Sequence, residues 1–539
     1  MSEEYIPKPL QTRRGDLILP PADKNNQVRK RVVSQLAPLK PASRFARIFM
    51  VLLIVGCFAA MMQSNVLWTD YDMPVRSAYE SMDSWTEAWQ HSVIRGNDPI
   101  TLTSYFLEKK LPLPTPLVHR SINLILHIIA ALLLLKCLES LKAPAAYSAT
   151  LVFALHPAVV QPLFWPGYRP EFLGLVLILS ALLAGIRNRG VAGYWAMLFF
   201  TAMACTIHPA GIGIPVVLAL IIICQKNPLH LHSFNRVLPL ICIALLLGVW
   251  TQHQAAAPVA GKAPDTLELV EVAGENMFFH IKQAVFPFDL GLFHPMTNDK
   301  DYSVGAQMSL LPFFLFLPFY VLAALNWRKR WARPLMLGVT TYLLFVLHGI
   351  SQTGVFLDNS AAHENHGVYV ALPAMIALII CSLGAIVRQM GPFGKPLWSL
   401  GFSFFLLVQL AITGSYAYTT GHPVLMWQSM TEQWPESWIP KAALIKSIEE
   451  TGSDLMTAAD KITMLESILA AKPELIEERM IFARIFSKEG QNNNAVREYK
   501  RILRETEPGN AFLEEAAAFY DKVGLYWDAT NARERIQPE

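Results

Sequence analysis

Trp68-Thr69-Asp70-Tyr71-Asp72 stands directly after the first long apolar run and places two carboxylates two residues apart. Carboxylates so placed can take a proton from an attacking hydroxyl or hold a divalent metal. They can equally cap the amphipathic stretch that follows, with Pro74 in its first turn; spacing leaves both readings open. Cationic and neutral donors recur in other loops. Phe164-Trp165-Pro166-Gly167-Tyr168-Arg169-Pro170-Glu171 sets an Arg and a Glu at the head of an apolar stretch. There they are costly unless paired or facing a wet cavity. His208-Pro209, His280 with Lys282, Phe286-Pro287-Phe288-Asp289, His294-Pro295 and His363-Glu364-Asn365-His366-Gly367-Val368-Tyr369 complete the set. Carboxylates beside cations and neutral donors suit attack on a phosphate-linked donor: a base for the acceptor and positive partners for the leaving phosphate. Asn123 and His127, four apart on one helix face within an apolar run, read as interhelical hydrogen bonders.

The frame around these residues is hydrophobic. Of 539 residues, 53% are hydrophobic and 16% charged, and the mean hydropathy is +0.32. A soluble domain carries about a quarter of its residues as charges, so a soluble enzyme and a disordered chain are both excluded. A net charge of +3 also speaks against a nucleic-acid binder. Apolar runs suited to a bilayer fall near 45–63, 118–136, 143–161, 170–187, 191–207, 210–224, 236–252, 308–326, 335–350, 366–386 and 396–415. They predict an all-α polytopic membrane protein with about eleven spans.

Basic residues set the expected orientation, since Lys and Arg loops stay in the cytoplasm. The first 44 residues form a basic tail, and the bias returns at Lys136 and Lys142, Arg187 and Arg189, Lys226 and Arg236, Arg328 to Arg333, and Arg388 with Lys395. The loops 64–117, 253–306 and 351–365 then lie outside, with the membrane domain spanning 45–415 and the N-terminus inside. The stretch before span one is too long for a signal-peptide n-region, so that span reads as an uncleaved anchor. The six cysteines (Cys57, Cys137, Cys205, Cys224, Cys242, Cys381) lie in or beside apolar runs, and no disulfide framework is indicated. Within loop 64–117, Met82, Trp85, Trp89 and Val93 follow helical spacing and suit a helix lying in the membrane interface. Trp427, Trp434 and Trp438 mark 416–439 as an interfacial linker.

From 440 to 539 the pattern is that of a soluble helical repeat, expected outside the membrane. Ala483, Phe486, Gly490 and Ala495 recur as Ala517, Tyr520, Gly524 and Ala529, a period of 34 residues. Small residues there let two helices approach, and the glycine ends the first. Pro473, Pro508 and Pro538 punctuate the units, and a weaker third unit covers 440–473 with the membrane domain as its cap. The pattern looks like the tetratricopeptide repeat, a folded appendage or a peptide-binding groove.

In this order the motifs resemble the transmembrane and tetratricopeptide-repeat O-mannosyltransferases and their bacterial relatives, within the GT-C superfamily of integral-membrane glycosyltransferases. The likeness covers nearly all of the chain after the basic tail. It is carried by Asp70-Tyr71-Asp72 after span one and by Arg120-Ser-Ile-Asn123-Leu-Ile-Leu-His127, similar to a family His-x-x-Asn-x-x-x-His with Arg120 or His119 in first place. Phe153-Ala-Leu-His156-Pro157 followed by Trp165, Gly167-Tyr168-Arg169 and Glu171 matches best, and Glu364, Tyr369 and Pro373 echo a late family motif. The resemblance implies inverting transfer of a sugar from a polyprenyl-phosphate donor to a protein or glycan acceptor on the extracytoplasmic face of a bacterial inner membrane. Asp70 or Asp72 would be the base, or the ligands of a divalent metal if one is used. Arg169, Lys282, His208 and His366 would bind the donor phosphate, with Glu171, Glu364, Tyr369, Asn123 and His127 in support. Three basic family positions differ: Asn97-Asp98-Pro99 replaces an Arg-Pro, His208-Pro209 a Lys-Glu, and Asn365-His366 a Glu-following Arg. These changes keep an alternative open, a non-catalytic membrane scaffold presenting the repeats; a polysaccharide ligase or polymerase is a third and weaker reading.

Overall fold

The computed structural model describes residues 10–11, 17–18, 41–64, 86, 89, 99–112, 115–187, 190–225, 235–255, 266–287, 294–295, 311–329, 331–353, 362–363 and 366–536. The described chain is helical apart from two antiparallel pairs of two-residue strands. β1 (Leu10–Gln11) pairs with β2 (Leu17–Ile18), and β3 (His294–Pro295) pairs with β4 (Ala362–His363). The second pair sets His294 opposite His363 and so joins the two loops predicted to lie outside.

Each predicted apolar run is a helix or a helix pair. Among the described residues, six meet the length and hydropathy of a membrane span: Arg44–Gln63, Pro116–Ser140, Pro166–Arg187, Gly190–Ile207, Leu372–Gln389 and Gly391–Gly421. Ala146–Ala154 and Pro157–Phe164 reach that length and hydropathy only together and are bent by 49° at the break between them, the shape of a broken span or a re-entrant loop. Pro209–Gln225, Leu238–Gly248, Phe314–Leu325 and Ala332–Val346 are shorter apolar helices. Large apolar side chains point outward from these helices: Leu325 is 80% and Leu400 75% exposed. Such a surface is stable only in contact with lipid, and the protein is a helical membrane protein.

The helices that frame the site are α1 (Arg44–Phe58), α2 (Pro99–Lys109), α3 (Thr115–Ser140), α4 (Ala146–Ala154), α5 (Val160–Phe164), α6 (Arg169–Arg187), α7 (Gly190–Ile207), α8 (Ile214–Gln225), α9 (Leu238–Ala255) and α10 (Thr266–Val285). They are followed by α11 (Leu311–Leu325), α12 (Ala332–Thr353), α13 (His366–Tyr369), α14 (Leu372–Gln389) and α15 (Gly394–Gly421). α6 packs between α3 and α7, α14 lies against α4 and α12, and α15 returns beside α1. At the basic end, Arg47 pairs with Glu139 at 3.1 Å and the Tyr147 hydroxyl donates to the Ala46 carbonyl, tying α1, α3 and α4 together.

Two His-Pro steps interrupt the apolar runs in the same way. Proline lacks an N–H and drives the preceding residue out of the helical region, so His156 (φ −71°, ψ 133°) and His208 (φ −141°, ψ 124°) are extended. Each imidazole Nδ1 then accepts the N–H two residues on, from Ala158 at 3.2 Å and from Ala210 at 3.1 Å. A helix broken within a bilayer must have its carbonyls satisfied by protein. Three side chains do this at the His156 break. Gln409 Nε2 donates to Val152, Thr413 Oγ1 to Leu155, and His127 Nε2 to Ala154, at 2.7, 2.7 and 2.9 Å.

Beyond α15, which runs on to Gly421, lies α16 (Pro423–Gln433), within the segment expected to be an interfacial linker. Trp427 packs inside the protein there with Met426 and Met430, so it faces the core. Six further helices follow: α17 (Trp438–Thr451), α18 (Ala458–Ala471), α19 (Ile476–Lys488), α20 (Asn492–Glu505), α21 (Asn510–Lys522) and α22 (Tyr526–Glu534). The period of 34 has a structural cause. Ala483 and Ala495, like Ala517 and Ala529, are buried where paired helices touch. Gly490 and Gly524 adopt φ of +70° and +82°, the left-handed turn between the members of each pair. α17 has two faces: Leu444 and Ile448 join the membrane-domain core, while Ala442 and Ile445 join the core of the helical pairs.

Candidate active site at one end of the bundle

Chain alternation brings several helix ends together. α1 leaves its run at Ser64, α3 and α6 begin, α7 ends and α14 begins at the end opposite the Arg47–Glu139 pair. The polar side chains buried in the membrane domain concentrate there: Ser64, Glu108, His119, Arg120, Asn123, His127, Arg169, Glu171 and His208.

The first turn of α6 is the hub. Successive helical residues point about 100° apart, so Arg169, Glu171 and Phe172 face three different neighbours. Arg169 is fully buried and reaches α2 and α3. Its guanidinium forms an ion pair with Glu108, and its Nε donates to Asn123 Oδ1. It donates also to Ser104 Oγ at 3.2 Å and to the His119 carbonyl at 3.1 Å. The Asn123 amide in turn donates to the Trp165 carbonyl at 3.4 Å. Glu108 is further engaged by His119 Nδ1. Burial raises the Glu108 pKa, but the His119 hydrogen bond and the Arg169 charge outweigh it and hold the carboxyl below its ordinary value of 4.5. The Tyr105 ring lies 5.2 Å from the Arg169 guanidinium, and its hydroxyl donates to the Pro166 carbonyl at 2.5 Å.

Glu171 accepts a hydrogen bond from His208 Nε2 at 3.0 Å. Because His208 Nδ1 already accepts from Ala210, the ring proton must sit on Nε2, and His208 meets Glu171 as a neutral donor. Gly174, one turn along, makes this fit possible: a Cβ there would lie 2.6 Å from His208 Cβ. Phe172 packs on Tyr369 with centroids 4.5 Å apart. His127 Nε2 donates to the Ala154 carbonyl, since a carbonyl can only accept, and its Nδ1 shares a hydrogen bond of 2.9 Å with the Tyr369 hydroxyl, which it accepts when the ring is neutral.

Of the residues singled out by sequence, the structure gathers Arg169, Asn123, Glu171, His208, His127 and Tyr369 around one helix head. The expectation that Arg169 and Glu171 need partners is met by Glu108 and His208. Asn123 and His127 are interhelical hydrogen bonders. Lys282 is exposed in the last turn of α10, while His280, two residues earlier and on the opposite side of that helix, is buried. Asp70, Asp72 and Glu364 lie outside the described residues, and of His366 only the backbone, opening α13, is described. Among the described residues no three His, Cys, Asp or Glu side chains are grouped to hold a metal.

Sequence reasoning missed Glu108. The signal was present: Thr101, Leu102, Tyr105 and Phe106 form the buried stripe of α2, and position 108 falls on it. A carboxylate on an apolar stripe requires a buried cation, and Arg169 is that cation.

No family model and no curated protein matches the sequence. Among solved structures, the arabinofuranosyltransferase AftD from Mycobacteria is similar over 74% of this chain, at 16% identity and a TM-score of 0.37. The similar region is 29% of that protein's length. A likeness at this identity and score assigns neither a family nor an activity.

Proposed function

We propose that the protein is a membrane glycosyltransferase of the GT-C kind, transferring a sugar from a polyprenyl-phosphate donor to a protein or glycan acceptor. The observation that supports this reading best is the hub at Arg169, Glu171 and Phe172. Buried charges in a membrane frame are expensive and mark function, and here side chains from α2, α3, α6, α13 and the turn after α7 meet at one end. The first outer loop leaves from that same end, at Ser64.

In this reading Asp70 or Asp72 takes the proton of the acceptor hydroxyl, alone or as a metal ligand. The hydroxyl oxygen bonds to the anomeric carbon as the bond from that carbon to the phosphate oxygen breaks, and the lipid phosphate leaves as an anion. Arg169, Lys282, His208 and His366 neutralise or hydrogen-bond that anion. Glu171, Glu364, Tyr369, Asn123 and His127 hold the donors in place. His208 rests as a neutral donor with its one ring N–H on Glu171, so it meets a phosphate only where Glu171 yields that proton, just as Arg169 does only where Glu108 yields its place. In this reading the end that carries the basic loops faces the cytoplasm, and the chain crosses a bacterial inner membrane about eleven times. The helical pairs of 440–539 form an extracytoplasmic tetratricopeptide-repeat domain that holds a protein acceptor.

The test uses membranes containing the full chain, supplied with radiolabelled polyprenyl-phosphate mannose. Asp70→Ala, Asp72→Ala and the double variant are expected to lower transfer by about 100-fold or more, the usual loss on removing a general base. Unchanged transfer in all three would remove the catalytic assignment.

One observation favours a second reading, a non-catalytic scaffold: the Arg169 guanidinium is already taken up by Glu108, Asn123, Ser104 and the His119 carbonyl. Deleting residues 440–539 separates the two. A scaffold loses all function, whereas an enzyme retains binding of the lipid-phosphate probe.

A further inference from the structure

α2 is apolar on two sides. Its inward side is the stripe of Thr101, Leu102, Tyr105, Phe106 and Glu108, packed on α3 and α6 and bonded to Arg169 and the Pro166 carbonyl. Its outward side carries Ile100, Thr103, Leu107 and Leu111, three and four residues apart and so in one line along the helix. Leu107 is 59% and Leu111 46% exposed. Leu111 lies just past the helix end, where its N–H donates to the Glu108 carbonyl at 2.9 Å and keeps it in line with the last turn. A helix at a water surface turns polar residues outward; this one turns leucines outward. The same side ends in a cation. Lys110 is exposed, and its Nζ lies 4.3 Å from the centroid of the Phe106 ring, one turn back. The ring supports the lysine stem and holds the ammonium at the end of the apolar line. Among the described residues no carboxylate pairs with Lys110. Leucines in a line with a lysine at the end match a lipid with an anionic headgroup. The chain lies along the leucines, and the ammonium meets the headgroup oxygens.

We propose that this outward side of α2 is a docking site for one lipid molecule, the polyprenyl-phosphate donor, with Lys110 on its phosphate. The choice of that lipid rests on the glycosyltransferase reading. Two features favour an isoprenoid monophosphate over a bulk phospholipid. The apolar line is one side chain wide and about 16 Å long at the helical rise per residue, which gives room for one chain and not for two. Glu108, bonded to Arg169 and His119, lies on the same turn as Leu107. A phosphate on Lys110 therefore stands about 10 Å from that polar hub, one helix thickness away. Arg169 meets a phosphate only after Glu108 gives way, whereas Lys110 gives up only a ring contact.

The full chain is placed in phosphatidylcholine nanodiscs doped with a polyprenyl phosphate that carries no sugar and bears a photoreactive group beside the phosphate. In wild type the label is expected in the peptide that contains α2. Lys110→Ala is expected to weaken binding of the probe by about fivefold, and Lys110→Glu by about 25-fold, as one lysine at a lipid surface is lost or reversed. Lys110→Arg stays within about twofold of wild type. Leu107→Gln weakens binding without touching the charge. All four keep the wild-type thermal midpoint, because these side chains are exposed, which separates lost docking from lost folding. Binding unchanged in Lys110→Glu overturns the site, as does a label confined to other helices. Equal displacement of the probe by phosphatidylglycerol overturns it too, since the surface would then take any anionic lipid. If wild type binds the probe on α2 yet transfers nothing from polyprenyl-phosphate mannose, the glycosyltransferase reading fails and the lipid site stands. If transfer proceeds with α2 unlabelled, the site fails and that reading stands.

Discussion

The membrane end and the C-terminal helical pairs each bury an arginine–glutamate pair, and the two pairs are embedded differently. Arg479 donates to Glu498 at 2.8 Å and to the Pro473 carbonyl at 2.7 Å, joining α19 to the adjacent α20. Its partner lies 19 residues away. Arg169 reaches a partner 61 residues away, and the same guanidinium also engages Asn123, Ser104 and the His119 carbonyl. One pair is local glue between two neighbours in a stack. The other joins segments that only the closed bundle brings together. The same ion pair can thus serve as a fastener or as a hub, and the number of separate segments that meet it decides which.

The largest expected effect follows from that contrast. Removing one partner from a buried pair costs about 3–5 kcal/mol, because the other charge is left uncompensated. Arg169→Ala is expected to lower the thermal midpoint of the full chain in detergent and to loosen α2, α3 and α6 together. Arg479→Ala carries a similar local cost, confined to the tail. Proteolysis between 438 and 536 should accelerate while the membrane helices stay intact. If Arg479→Ala also loosens the membrane helices, the division between fastener and hub is lost, with α17 as the route of coupling.

A smaller effect is expected at Gly174. An added Cβ would press on His208 at 2.6 Å, and overpacking of this kind costs about 1–3 kcal/mol. Gly174→Ala and His208→Ala should be non-additive, because both disturb the bond to Glu171. Additive losses in thermal unfolding would show that Gly174 serves helix packing alone.

The smallest effect lies in the tail and depends on pH. Burial is the largest single influence on Glu449 and raises its pKa, but hydrogen bonds from Lys461 at 2.7 Å and Lys488 at 3.3 Å, with their charges, together outweigh it and lower the pKa below 4.5. A folded pKa below the unfolded one adds stability that is full above pH 4.5 and fades as the pH falls through the folded value. Glu449→Gln should therefore destabilise the protein by about 0.5–1 kcal/mol at pH 7, and the deficit should shrink below pH 4.5. A deficit of equal size at both pH values would mean that packing, not charge, is responsible.

The tail was the more legible region. Its period of 34, its paired alanines and its two turn glycines are local properties, and each repeat packs on its sequence neighbours, so pattern and contact coincide. In the membrane domain the runs were legible for the same reason, since length and hydropathy act within one helix. The His-Pro steps were legible as breaks, because proline acts on its own neighbours. Glu108 was not read as a site residue, although it sits on a buried stripe, since its partner is in another helix and no spacing rule links positions 108 and 169. Trp427 was assigned to the interface from its type alone, and packing against Met426 and Met430 turns it inward.

The sequence by itself determined a hydrophobic frame of apolar helices, the places where it breaks, the positions of the rare charges and the repeat at the C-terminus. Composition, helical period and backbone chemistry are enough for that, being local. Only the tertiary structure decided that Arg169 belongs to Glu108, that Glu171 belongs to a neutral His208, and that Gln409, Thr413 and His127 supply the bonds a broken helix lacks. Those pairings depend on which helix ends meet in space. In an apolar frame, each polar group's partner is then fixed by the cost of leaving it without one.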